Sequence, residues 1–181
     1  LDPVNGWDPE VRVENSAGTV GPSSVGVDGS GNAVAVWSQI GPATRFSVYA
    51  SRYSRTGGWA APVLVETNEV VGSQDGDVIV GVTPGGDALT VWKRSGAGAG
   101  DGLWSSRFSA PTGWSTPVQV VADAGSLQTI ARHDLSVDAN GHALLVWGQL
   151  DIAAGAGNNG LWFKRYTAGS WQQIAASVAP A

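Results

Sequence analysis

One short string recurs through this chain at a near-constant interval. It reads GWDPEVRVE over 6–14, GWAAPVLVE over 58–66 and GWSTPVQVV over 113–121, and Ser170-Trp171 opens a worn further copy. The leading tryptophans, Trp7, Trp59, Trp114 and Trp171, are spaced by 52, 55 and 57 residues. A second series, Trp37, Trp92 and Trp147, is spaced by 55 and 55. Self-similarity at such a period is the signature of a repeat architecture, in which each unit buries its apolar face against its neighbours. The 181 residues therefore read as a single repeat domain, with repeats of about 6–58, 59–113 and 114–169 and a terminal strand over 170–178.

Each repeat reads as four strands, A to D. In the first, SVGVD (24–28) alternates and meets the turn Gly29-Ser30-Gly31-Asn32, AVAVW (33–37) follows, and a variable loop leads to VYASRY (48–53). Thr56-Gly57-Gly58 then turns the chain into WAAPVLVE. Two tight hairpins and one longer loop join the four strands. VIVGV, ALTVW, LWSSRF and WSTPVQVV repeat the pattern, and DLSVD, ALLVW, LWFKRY and WQQIAASV repeat it again.

Strand B is apolar on both faces: Ala33, Ala35 and Trp37 alternate with Val34 and Val36, as Ala143, Leu145 and Trp147 do with Leu144 and Val146. Both faces are thus covered, which a sheet with one wet face would not show. Blades stacked around an axis cover both faces of their inner strands. Strand D carries Pro62 and Pro117 at one position, and proline cannot donate to a central ladder, so D is the rim. Trp37, Trp92 and Trp147 are expected in the core. Strand C aligns Tyr49, Trp104 and Trp162, then Tyr53, Phe108 and Tyr166, with Arg52, Arg107 and Arg165 on the opposite face. A structural aromatic layer with arginine stems packed on it accounts for this repetition; a sugar-stacking aromatic in each repeat is the functional alternative.

VGVDGSGNAVAVW followed by VYASRYSRTGGWAAPVLVE resembles a repeat of exported bacterial β-propeller proteins, most of unknown function. The turn SRTGGW (54–59) is similar to the Asp-box of sialidase-type propellers, without its aspartate, and LWFKRYTAGSW (161–171) resembles the Trp-rich blades of bacterial propeller lectins. The resemblance runs from residue 6 to about 178 and implies an all-β fold of propeller blades in an exported protein. Three blades make half of a six-bladed ring, since closed propellers take about 4 to 8. A β-trefoil or β-prism, closed by three repeats, is the alternative. Trp7 begins a D-type strand ahead of any A, B or C strand of its own. That stray strand and the open blade faces lead to the expectation of a homodimer completing the ring.

Composition narrows the partners. The net charge is −5 and only 14% of residues are charged. Lys93-Arg94 and Lys164-Arg165 are isolated pairs, so the basic stripe of a nucleic-acid interface is missing. There is no Cys, which excludes disulfides and thiolate metal sites, and no segment approaches the length of a membrane span. The sequence also lacks Met, even at position 1, and we expect it to be cut from a longer precursor.

No catalytic constellation stands out and no cofactor motif is present. His142 replaces Asn32 and Asp87 at the end of an A–B turn and reads as a polar turn residue; His133 precedes Asp134 in a D–A loop and could hold a ligand. Sialidase chemistry would need an arginine triad, a nucleophilic tyrosine with a glutamate partner and an acid aspartate. Arg52, Arg107 and Arg165 instead recur blade by blade, and no catalytic residue carries over from the resemblance. Asp75-Gly76-Asp77 could contribute oxygens to a Ca²⁺ site, but Arg132-His133-Asp134 breaks the repeat there. The B–C loops (38–47, 95–101, 151–160) and D–A loops (67–77, 122–133) vary, and a four-stranded meander puts both on one side. Ligand contacts are therefore expected from Asp77, Arg94, Asp101, His133, Asn158 and Asn159. The function these features favour is non-catalytic, lectin-like binding of carbohydrate or another cell-surface ligand. A structural or self-assembling module and a glycosidase-type enzyme are the alternatives.

Overall fold

A computed structural model describes residues 9–41, 44–68, 72–96, 100–122, 128–151, 159–172 and 176–177. The described residues form three antiparallel sheets in sequence order and no helix. Blade 1 comprises β1 (Val20–Val27), β2 (Ala33–Ile40), β3 (Phe46–Ser54), β4 (Gly58–Trp59) and β5 (Val63–Leu64). Blade 2 comprises β6 (Gln74–Val82), β7 (Ala88–Ser95), β8 (Gly102–Ser109), β9 (Gly113–Trp114) and β10 (Val118–Ala122). Blade 3 comprises β11 (Gln128–Val137), β12 (Ala143–Asp151), β13 (Asn159–Thr167), β14 (Ser170–Trp171) and β15 (Ala176–Ser177).

In blades 1 and 3 one aspartate holds the A–B turn, and in blade 2 Thr83 takes its place, accepting at Oγ1 from Asp87 N at 3.1 Å. The Asp28 carboxylate accepts from the backbone N–H groups of Ser30 and Asn32, at 2.8 and 2.9 Å, and Asp138 does the same for Asn140 and His142, at 2.9 Å each. These are Asx turns, with glycine at the left-handed position: Gly31 has φ 80° and Gly141 φ 78°. His142 is exposed and bonds Asp138 through Nδ1, as a turn residue should.

Strand D comes in two pieces in every blade: β4 and β5 flank Pro62 and β9 and β10 flank Pro117, whereas β14 and β15 are separated with no proline between them. The first piece docks identically each time, through Ala60 N to Arg52 O, Ser115 N to Arg107 O and Gln172 N to Arg165 O, all 2.8 Å. The leading tryptophans Trp59, Trp114 and Trp171 pack edge-on against Tyr53, Phe108 and Tyr166, with ring centroids 5.2–5.5 Å apart.

The A strands lie innermost and touch from blade to blade. Glycine sets how closely. At Gly26 a Cβ would lie 2.5 Å from Cγ2 of Val82, and at Gly81 it would lie 2.3 Å from Cγ2 of Val137. Blades 1 and 2 thus each offer a notch that receives a valine of the next blade. Strand B supplies the core between blades, with Val34, Val36, Val91 and Leu89 all under 5% exposed. Trp37, Trp92 and Trp147 are 4%, 0% and 1% exposed, as the strand-B pattern requires.

The A strands are longer than the sequence reading allows. β6 starts at Gln74 and β11 at Gln128, and each carries a β-bulge near that end, between Gly76 and Ile79 and between Ile130 and His133. Asp77 and His133, expected in D–A loops, therefore sit within strands, at the bulges. A bulge breaks the clean alternation that a pattern search follows. Trp7 lies outside the described residues, and the expected D-type strand is not formed over the part of it that is described. Residues 9–15 form no ladder, and residues 16–18 meet the back of blade 1, where Gln39 Nε2 donates to Ser16 Oγ at 2.6 Å.

Candidate functional site

Position 38 explains why the two blade junctions differ on the face that carries the variable loops. Ser38 in β2 and Lys93 in β7 are equivalent, each one residue past the core tryptophan and each turned toward the next blade. Lys93 spans the gap between blades 2 and 3 and donates from Nζ to the carbonyl of Ile130, at 2.6 Å. Asp75 is the equivalent of Ile130 at the other junction, and there the short serine leaves a groove of about 220 Å³. Pro22, Ser38 and Phe46 line one wall, and Gln74 to Asp77 with Lys93 and Ser95 line the other. Ser38 is 1% exposed, and its buried hydroxyl oxygen has no hydrogen-bond partner among the described residues. A buried hydroxyl without a partner costs about 1–3 kcal/mol. Gly21 admits this geometry, since a Cβ there would come within 2.5 Å of Ser38 Oγ and 3.2 Å of the Phe46 ring. Phe46 N donates to Gln74 Oε1 at 3.0 Å and ties the walls together at the outer end.

Arg94, expected on the binding surface, is instead fully buried at 0% exposure. It is the blade 2 equivalent of Gln39 and Gln149. In blades 1 and 3 the glutamine carbonyl accepts the indole N–H of Trp37 or Trp147, at 2.9 and 3.2 Å. A guanidinium has no acceptor, so Trp92 donates to Asp75 Oδ1 instead, at 3.0 Å. Arg94 itself pairs with Glu66 at 2.6 Å and with Asp75 at 3.0 Å. Its remaining donors reach the carbonyl and side-chain oxygens of Asn68, at 3.2 and 3.1 Å. Its face stacks 4.3 Å from the ring centre of Trp104, whose indole N–H donates to Gly100 O at 2.8 Å. One buried side chain thus holds the described parts of both variable loops of blade 2. Burial pushes the Asp75 carboxyl above its ordinary range, against the pull of Arg94 and hydrogen bonding with Arg94, Trp92 and Glu66. The charge of Arg94 reads from sequence as surface; only the repeat-equivalent glutamines, at a position beside a core tryptophan, signal otherwise.

Asp77 is exposed at the inner end of the groove, on left-handed backbone (φ 49°) that aspartate tolerates better than most side chains. The structure brings His133 near it. Both ring nitrogens of His133 are buried without a well-formed hydrogen bond, and burial holds the imidazole below its ordinary range, so it is neutral. Asp77 opposes that shift and Lys93 adds to it. Asp101 closes the 96–101 loop by accepting from Gly96 N at 3.0 Å, away from the groove lining. Asn158 lies outside the described residues, and Asn159 opens β13. Of the six expected residues, Asp77 alone lines the groove. Ser38, Phe46, Gln74 and Ser95 were missed; the contrast of Ser38 with Lys93 in the aligned repeats was the available signal.

Two of the repeated arginines make contacts expected of a structural role. Arg52 lies 4.5 Å from the ring centre of Phe108 in the next blade, and Arg107 pairs with Asp87. No group of three or more metal-ligating side chains occurs among the described residues.

No family model matches the sequence, and no curated protein matches it. Solved structures do match in fold. A Hadza microbial sialidase aligns with a TM-score of 0.58 and 13% identity, over 84% of this chain and 36% of that one. An ulvan lyase of a polysaccharide lyase family, bound to GlcA(1-4)Rha3S, aligns with a TM-score of 0.54 and 14% identity, over 90% of this chain and 43% of that one. The same lyase in a second structure gives 0.53 and 15%. The chain thus spans 36–43% of the length of these structures. At these identities the likeness shows the fold: three consecutive, propeller-type blades.

Proposed function

We propose that this chain is a non-catalytic carbohydrate-recognition module of an exported bacterial propeller, and that its ligand lies in the groove between blades 1 and 2. The observation that carries the reading is Ser38, whose buried, unpartnered hydroxyl opens a groove where the next junction is filled by Lys93. A sugar hydroxyl can donate to or accept from that oxygen, the ring of Phe46 offers an apolar wall, and Gln74, Ser95 and Asp77 supply further polar contacts. The sialidase and ulvan lyase among the fold relatives lend support, as proteins named for acting on carbohydrates. Glu66 and Asp75 are buried and paired with Arg94, so neither offers the groove a carboxyl group open to substrate.

The test is Ser38→Lys, which should bridge to the β6 backbone as Lys93 bridges to Ile130. A glycan array followed by calorimetry on the best binder should show binding to the native chain. The variant should lose it by tenfold or more with an unchanged melting temperature. Unaltered binding in the variant, or no glycan bound by the native chain, refutes the reading.

The ends of the stack favour a second proposal, that two copies complete a six-bladed ring. Leu144 and Leu161 on the front of blade 3 are 42% and 50% exposed, whereas their equivalents Val34, Leu89, Val48 and Leu103 are at most 4% exposed. Val25 and Val27 on the back of blade 1 are each 61% exposed, whereas their equivalents in blades 2 and 3 pack on the preceding blade. One chain carries both mates of the interface. Light scattering should find twice the 18.5 kDa chain mass at micromolar concentration; a monomer refutes it.

A further inference from the structure

The groove carries a charge pattern that its fold alone does not require. Asp77 replaces Pro22 and Arg132 at the bulge position, so a carboxylate at this point belongs to blade 2 alone. It is exposed, pairs with no cation among the described residues, and lies at the inner end of the groove that Ser38 opens. The cations nearby are committed elsewhere. Lys93 lines the groove but turns its ammonium to the Ile130 carbonyl of blade 3, and Arg94 lies beneath it, matched by Glu66 and Asp75. Asp77 is therefore the exposed carboxylate of the groove lining, beside neutral donors and acceptors, on a chain of net charge −5.

We propose that this groove selects neutral and amino sugars and rejects acidic ones. The inference rests on the carbohydrate reading above and adds its specificity. An ammonium or hydroxyl beside Asp77 gains a charge-assisted hydrogen bond, while a uronate, sulfate or sialate carboxylate there meets like charge. The fold relatives named for acidic glycans give no reason to expect this, because specificity resides in the groove residues and not in the blades.

The experiment compares three matched probe sets on immobilised native chain: neutral gluco-oligosaccharides, glucosamine oligosaccharides and glucuronate-containing oligosaccharides. Each is measured again with Asp77→Asn and with Ser38→Lys. The expected order is glucosamine at or above neutral, with glucuronate weakest. Asp77→Asn should lower glucosamine binding about two- to fivefold, the range of an exposed ion pair, and should raise glucuronate binding. It should leave neutral binding within twofold. Ser38→Lys should abolish all three. A native preference for glucuronate, or an Asp77→Asn variant with the native order, overturns the selectivity while the carbohydrate reading stands. Binding of none of the three overturns both. Melting curves of each variant separate lost recognition from lost fold, and Asp77→Gly, which suits the left-handed backbone, serves as a second removal of the charge.

Discussion

Blade spacing in this chain depends on two glycines, and Gly81→Ala tests that directly. Gly81 is not in the left-handed region, so its backbone suits any residue and the only obstacle is space. A methyl at this position would sit 2.3 Å from Cγ2 and 2.9 Å from Cβ of Val137, closer than packed carbon atoms tolerate. Val137 belongs to β11 and is packed into the core of the blade 2–blade 3 junction, so relief requires the two inner strands to part. Forcing one methyl into a packed core costs about 1–3 kcal/mol, set against a gain of up to about 1 kcal/mol from removing glycine within a strand. The expected net loss is about 1–2 kcal/mol, read from urea melts followed by tryptophan fluorescence. Gly76→Ala, with no atom within 4 Å of the new methyl, should cost nothing of this kind. Gly81→Ala combined with Val137→Ala should recover at least half of the loss relative to the sum of the single changes. A neutral Gly81→Ala, or strict additivity in the double variant, would show that the notch does not set the spacing.

Trp92→Ala removes a side chain with no exposed surface and should cost about 3–5 kcal/mol; a denaturant melt with a loss below about 1 kcal/mol would dispose of the repeat alignment. Arg94→Gln restores the residue of the other blades but strands Glu66 and Asp75, and should cost about 3–5 kcal/mol; hydrogen exchange should rise at Asn68 and at 100–104 before it rises elsewhere. Two groups should shape the pH profile. The Asp75 carboxyl, raised by burial, stabilises the fold fully below its unfolded value near 3.8, and that contribution fades as pH rises through the folded value; Asp75→Asn removes this arm. His133, lowered by burial, contributes fully above 6.5, and its contribution is lost as pH falls through the folded value; a melt series in which His133→Asn keeps the same acid slope would reject that assignment. Ser136 fills the notch position at the open front of blade 3, so Ser136→Gly should tighten the association of copies, as sedimentation would show.

The sequence by itself determined the architecture. Period and alternation are local properties: a tryptophan every 55 residues, apolar residues on both faces of strand B and proline in strand D leave little but stacked blades with a broken rim strand. Bulges were not legible, because one extra residue shifts the alternation, and Asp77 and His133 were consequently read as loop residues. Which polar groups face a ligand was decided only in three dimensions. Arg94 carries the charge of a surface residue, yet Glu66, 28 residues earlier, and Asp75, 19 residues earlier, meet around it and let it lie buried. Ser38 carries no distinguishing chemistry in sequence, yet it opens a groove because it is too short to cross a gap of the kind that Lys93, its equivalent one blade on, spans. A repeat specifies what its copies share; a binding site arises where they differ, and the consequence of a difference depends on what the neighbouring blade places opposite it.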